Sequence, residues 1–178
     1  MFTNSIKLKS GDLLDYSQAV TSAKTCRRQT AHGIVEMLKQ YPAGTRVLDF
    51  GGGKFDDAKQ YAEQHGFVFE VYDPYNRTEL HNLQVLSAEY DVLVCNNVLN
   101  VVTDDVIDHV IDDIKQVMLS TGAHTAYVTV YEKNRDGKGE MTDVDTYQRN
   151  EKTKDYCPRL ETKFKTVTVK SKLIKLEL

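Results

Sequence analysis

The chain has 178 residues, 40% of them apolar and 28% charged, with a formal net charge of −3. That is enough for one domain whose core buries roughly two-thirds of the unfolded surface, and the composition is that expected of an ordinary soluble protein. No run approaches the roughly 20 apolar residues that cross a bilayer, the opening "MFTNSIKLKSGDLLDYSQ" lacks an apolar core, and Cys26, Cys95 and Cys157 and the five histidines are scattered; a cytoplasmic protein without membrane span, disulfide or metal is expected.

In chain order, residues 1 to about 20 show no firm period. From Lys24 to Gln40, Ala31, Ile34, Val35 and Leu38 fall on one stripe that "YPAG" ends, which predicts a helix and makes 1–45 a helical cap. "RVLDF" reads as a buried strand. Ala58, Tyr61, Ala62 and His65 predict a second helix over 55–65, closed by Gly66, and "FVFEVYD" a strand ending at Asp73 before Pro74. "YDVLVCNN" reads as another strand. Val106, Ile107, Val110, Ile111, Ile114, Val117 and Met118 recur at helical spacing, with Thr103 as cap, Asp104 and Asp105 suiting the dipole, and Gly122 as terminator. "HTAYVTVYE" reads as a strand and "KNRDGKGEMTDVD" as an ordered loop or lid. Residues 145 to about 163 read more as helix than strand, interrupted at Pro158, and "FKTVTVKSKLIKLEL" as a terminal antiparallel hairpin around Lys170 to Lys172.

Strand and helix alternate as in an α/β, Rossmann-like, mostly parallel sheet with helices on both faces, here with a C-terminal antiparallel hairpin, in a single domain over 1–178 with 132–163 as an insert over the acceptor. Ligands of such sheets bind at the carboxyl ends of the strands, where "RVLDFGGGKFDD" places Gly51, Gly52 and Gly53. A tight turn alone rarely needs three glycines, so a ligand is expected against them. It is not a dinucleotide: the third glycine of a G-x-G-x-x-G pattern is replaced by Asp56, the wrong charge for a pyrophosphate at a helix N-terminus. The GK[ST] ending of a phosphate loop is missing as well. A cationic or zwitterionic ligand would suit Asp49.

"VLDFGGGKF", "VYDP" and "YDVLVCNNVLNVV", in that order, resemble the class I, Rossmann-like, S-adenosylmethionine-dependent methyltransferases over residues 27 to 131. The resemblance implies that Asp49, Gly51, Gly52 and Gly53 pack on the methionine part of the cofactor. It implies further that Asp73 accepts hydrogen bonds from the ribose, and that backbone around Cys95, Asn96 and Asn97 holds the amino group. Only 16 residues separate Asp73 from Tyr90, so the usual helix and third strand are squeezed; the acid that commonly meets the adenine amine has no match, and Ser87 is the nearest polar candidate. "YDPYNR" with "NNVLNV" also resembles compact methyltransferase-like proteins of tailed bacteriophages.

Methyl transfer from a sulfonium asks mainly for alignment and exclusion of water. Where an acceptor must lose a proton, Tyr131 or Glu132 at a strand end would take it, and Tyr147 and Arg149, with Lys138 and Arg135, would clamp an anionic acceptor. Neither an "NPPY"-like segment nor a Pro-Cys nucleophile is present, which disfavours nucleic-acid bases. Residues 133–178 carry a net charge of +4 against −7 before them, so phosphate contacts stay open. The expected function is methylation of a small, anionic molecule. Two alternatives are a non-catalytic binding module of the same fold, for a protein or nucleic acid, and an enzyme that consumes the cofactor without methylating.

Overall fold

In the computed structural model the described residues are 5–7, 13–15, 32–143 and 146–178. Six strands form the central sheet: β3 (Arg46–Phe50), β4 (Val68–Tyr72), β5 (Val92–Asn96), β6 (Thr125–Thr129), β9 (Thr166–Lys170) and β10 (Leu173–Glu177). Their order is β4-β3-β5-β6-β10-β9, parallel from β4 to β6 and antiparallel at β10 against both neighbours. The terminal hairpin is as the alternation predicts. The chain turns one way from β3 to β4 and the other to reach β5, so the switch point lies between β3 and β5.

Alternation along the strands sorts the core into two layers. Val47, Phe69, Val71, Val92 and Val94 meet Ile34 and Leu38 of α1 (His32–Leu38) and Ala58 and Ala62 of α2 (Asp57–Gln64). Leu48, Tyr72, Leu93, Ala126, Ile174 and Leu176 meet α3 (Glu79–Leu86), α4 (Ile107–Thr121) and α5 (Cys157–Glu161). In α4 the predicted stripe is the buried one: Ile107, Ile111, Ile114, Val117 and Met118 have no exposed surface, each such side chain stabilising the fold by about 1.5–3 kcal/mol. Gly122 ends α4 in the left-handed region (φ 82°). Gly66 (φ 87°) closes α2 with the bonds Gly66 N to Glu63 O and Phe67 N to Ala62 O, a Schellman ending.

Four expectations change. Helix α4 starts at Ile107 rather than beside Thr103, whose carbonyl instead closes the preceding turn by accepting from Val106 and Ile107 N–H. Short antiparallel strands β1 (Ser5–Lys7) and β2 (Leu13–Asp15) stand in the segment expected to be a helical cap, and the first part of the 24–40 helix lies outside the described residues. The lid carries β7 (Glu140–Asp143), and its partner β8 (Thr146–Gln148) lies where helix was expected. Pro158 does not interrupt a helix: it sits in the first turn of α5, where its missing N–H costs nothing. Among the described residues no strand pairs with the outer side of β4, so α3 leads directly to β5, and none of their helices is long and apolar enough to cross a membrane.

Candidate functional site

The glycine turn leaves β3 at the carboxyl end of the sheet, with Gly51 (φ 75°) and Gly53 (φ 78°) in the left-handed region. Both Gly51 and Gly52 donate their N–H to Tyr72 O, at 2.8 and 3.3 Å. A Cβ on Gly51 would stand 2.5 Å from Val98 Cγ2, and one on Gly52 would meet Asp49 Cγ at 2.7 Å and Val71 Cγ1 at 2.8 Å. The protein's own side chains therefore already forbid larger residues at the first two positions. Packing within the protein, rather than a ligand alone, thus demands glycine at these two positions.

Two buried carboxylates flank this turn, each 1% exposed. Asp49 sits on the face of β3 that carries Val47, between Val71 and Val94 of the neighbouring strands. Its Oδ1 is buried without a hydrogen-bond partner among the described residues. Burial first, then the negative charge of Asp73, pushes its carboxyl up to about 7, against the pull of Arg77. Asp73 is the opposite case. Its Oδ2 accepts from Gly53 N (2.9 Å), and its Oδ1 accepts from Tyr75 N, Asn76 N and Asn76 Nδ2 at 2.8–3.0 Å. Each carboxylate oxygen offers about two acceptor positions, so Oδ1 is crowded and Oδ2, with one donor, keeps room for about one more. Arg77, which the sequence reading missed, donates from Nε to Gly53 O (2.7 Å) and from Nη2 to Phe55 O (3.3 Å), and pairs with Asp56 at 2.8 Å. Its only signal in the sequence is a cation four residues after a strand-ending acid.

The end of β5 stands beside this turn through Val98, a second residue the sequence did not flag. Cys95 is fully buried, and burial, with the Asp49 charge, pushes its thiol up; only its backbone is open to a role. Asn96 Oδ1 accepts from the Thr129 hydroxyl. Asn97 is exposed in the left-handed region (φ 59°), its N–H donating to Thr129 O at 2.9 Å. Buried amides tie the β7–β8 hairpin down over these ends: Asn100 Nδ2 donates to Gln148 Oε1 (3.1 Å), and Gln148 Nε2 to Tyr131 O (2.9 Å).

The remaining candidates behave differently. Tyr131, 61% exposed, follows β6, and Tyr147, half-buried, packs its ring over Gly139. Arg149, 3% exposed, is committed to Glu151 and Asp104 at 2.8–2.9 Å and reaches Val102 O at 3.3 Å, so it braces the insert. Glu132 accepts from Thr153 N and Oγ1 (both 2.9 Å) and pairs with Arg135 (2.7 Å) and Lys172 (3.5 Å). The Thr153 N–H, then the Thr153 hydroxyl and the two cations, hold it down at about 2 against burial, which makes it a weak base at neutral pH. Ser87 does not join the site: it caps α3 with its hydroxyl on Leu83 O (2.7 Å), just before β5 begins, at the amino end of the sheet. It lies far from the glycine turn because the compressed segment is a helix returning along the sheet.

The family described as "Methyltransferase domain" matches residues 23–163. The chain belongs to the methyltransferase-domain family. It is a class I, S-adenosylmethionine-dependent methyltransferase, as its ordered motifs imply. No curated protein matches it. Solved structures similar to it include the N-terminal domain of EvdMO1 with SAH bound, at 12% identity over 98% of this chain and 89% of that one with a TM-score of 0.46. The DhpI–SAH complex is another, at 10% identity over 82% and 81% with a TM-score of 0.42. The methyltransferase's residues fit such a cofactor in one respect: the buried Asp49 Oδ1, beside the glycine turn, has no hydrogen-bond partner among the described residues.

Proposed function

We propose that this methyltransferase transfers the methyl group to a small-molecule acceptor at the carboxyl ends of β3, β5 and β6. The observation that carries the reading is Asp49: a buried carboxylate with an unfilled acceptor position beside a glycine turn and a second carboxylate is matched by a cationic ligand bearing N–H or O–H groups. When bound, S-adenosylmethionine supplies a methyl group activated by a positive sulfur.

The chain's own residues would do the rest. Asp49 would accept a hydrogen bond from the ligand's positive end, and Asp73 one from a ribose hydroxyl through its remaining position on Oδ2. Backbone at Cys95, Asn96 and Asn97 would border the reacting end. The hairpin anchored by Asn100 and Gln148 would keep water out and hold the acceptor, with Tyr147 on it. Tyr131, exposed at the end of β6, is the better placed of the two proton-handling candidates, since Glu132 is tied into the insert.

The β7–β8 hairpin over the strand ends favours a small acceptor. Its negative charge was argued from Arg149, Arg135 and Lys138. Arg149 and Arg135 hold carboxylates, while no carboxylate pairs with Lys138 among the described residues, so Lys138 would be the cation that meets an anion. A cytoplasmic location and a phage source are part of the same proposal, from composition and motif resemblance.

Calorimetric titration with S-adenosylhomocysteine tests the site. Saturable binding lost in Asp49→Ala is the expected result, and no heat with the wild type would refute it. Incubation with labelled cofactor, with and without candidate acceptors, then separates transfer from plain consumption. The binding-module reading draws support from Asp73, whose acceptor capacity is largely used inside the protein.

A further inference from the structure

Three glycines in a row are the most mobile backbone a chain can have, so a turn made of them holds one shape only where other groups fix it. Here Tyr72 O at the end of β4 holds Gly51 and Gly52, and the loop between β4 and α3 holds Gly53. The Gly53 peptide is gripped at both ends: its N–H donates to Asp73 Oδ2 at 2.9 Å and its carbonyl accepts from Arg77 Nε at 2.7 Å. The same guanidinium reaches Phe55 O at 3.3 Å and the Asp56 carboxylate at 2.8 Å, spanning the path from the turn into α2. A planar fork with fixed donor directions can do this; a single ammonium cannot. The base of the clamp is itself rigid, because Asp73 is bonded to its own loop and Asn82 holds Asp73 through both its backbone N–H and its carbonyl, at 3.2 and 2.9 Å.

Arg77 has a second effect. Asp49 stands beside the negative charge of Asp73, which closes β4, and Arg77 is a cation that offsets it. We propose that Arg77 is a positioning residue for the cofactor: it locks the Gly51–Gly53 turn in its binding shape and tempers the repulsion between the two carboxylates beside it. The proposal rests on the reading of this turn as the cofactor site.

Three readouts on Arg77→Met and Arg77→Lys test it: calorimetric binding of S-adenosylhomocysteine, the titration of the Asp49 carboxyl followed by carbon NMR in the protein without ligand, and amide exchange over residues 51–55. In Arg77→Met we expect affinity to fall about tenfold or more, the Asp49 midpoint to rise by roughly half a pH unit or more, and exchange in the turn to quicken. Arg77→Lys, which keeps the charge and loses the fork, should leave the midpoint near wild type while exchange stays fast and affinity stays low. A Met variant that binds like wild type, with unchanged titration and exchange, overturns the role of Arg77 and leaves the site intact. A wild-type protein that binds no S-adenosylhomocysteine overturns the proposed site and this role with it.

Discussion

Replacing Asp49 by Asn tests the electrostatics of the site without any ligand. The Asp49 carboxyl, ordinarily at 3.8, is raised to about 7 by burial and by Asp73, which corresponds to ~4 kcal/mol between its two protonation states. Between those two values the folded protein holds a proton that the unfolded chain has released. Stability therefore falls as pH rises, by about 1.4 kcal/mol per pH unit at the steepest. Below 3.8 the penalty is absent, and above 7 it is complete. Asn keeps the shape and removes the charge, so the difference in stability between variant and wild type should grow from pH 4 to pH 8. A buried amide with an unmade hydrogen bond gives back ~1–3 kcal/mol, which leaves the variant ahead at pH 8 by about 1–3 kcal/mol. Denaturant unfolding at intervals between pH 4 and 8, both proteins without ligand, reads this directly, because titrating groups that do not feel the Asp49 charge cancel in the difference. A difference that does not change across that range would refute the picture of a repelled, unpartnered carboxylate. The same variant should bind S-adenosylhomocysteine more weakly, so that the charge which destabilises the fold is the one that serves the ligand.

Gly52→Ala should cost ~1–3 kcal/mol by overpacking, since its Cβ would press on Asp49 Cγ and Val71 Cγ1; an unchanged melting temperature would contradict the close approach. Glu132 has its carboxyl lowered to about 2, so its contribution is fully present above the unfolded value of 4.5 and is lost as pH falls towards 2. Glu132→Gln should accordingly be less stable at pH 7 and lose less on acidification than wild type, with acid unfolding curves of equal steepness counting against it. Asn82→Leu strands the N–H and carbonyl of Asp73 at the sheet edge and should cost ~2–4 kcal/mol, read as a shift in denaturation midpoint with fast exchange at Asp73.

Elements with a strong period were legible in the sequence: the stripe of α4, the buried run of β3, the left-handed glycines at 66 and 122, and the alternating terminal hairpin. So was the pairing of Asp49 and Asp73 around the glycines, because strand, turn, helix and strand fix their separation to within a turn. Contacts between segments were not legible. Arg77 reaches Gly53 across 24 positions, and the chain gives no sign of which loop will fold over which. Arg149, expected to clamp an anionic acceptor, is instead buried among Glu151, Asp104 and the ring of Tyr156, since charge alone does not tell a clamp from a brace. β8 lacked an alternating apolar pattern because it pairs only with β7, whose residues are all exposed. Ser87 was put near the cofactor by its number alone, and the helix that carries it runs the other way.

The missing third strand and the clamp are two sides of one solution. Among the described residues no strand stands beside β4, which is therefore an edge, and the groups of Val71 and Asp73 that point outward have no ladder to join. α3 answers with side chains in place of a backbone: His81 Nε2 bonds Val71 O at 2.7 Å, and Asn82 supplies both a donor and an acceptor to Asp73. Two polar residues of one helical turn thus stand in for a strand. This requires α3 to lie close against β4, which in turn makes the loop from Asp73 to Thr78 short and places Arg77 over the glycine turn. Lengthening that loop by two glycines between Asn76 and Arg77 should therefore uncouple the clamp while α3 stays docked. The expected outcome is a protein with nearly unchanged stability in which the amides of Lys54 to Asp56, past the carbonyls that Arg77 grips, exchange faster, while Gly51 and Gly52 stay bonded to Tyr72 O; loss of the fold instead would mean that the loop, and not His81 and Asn82, holds the helix on the edge.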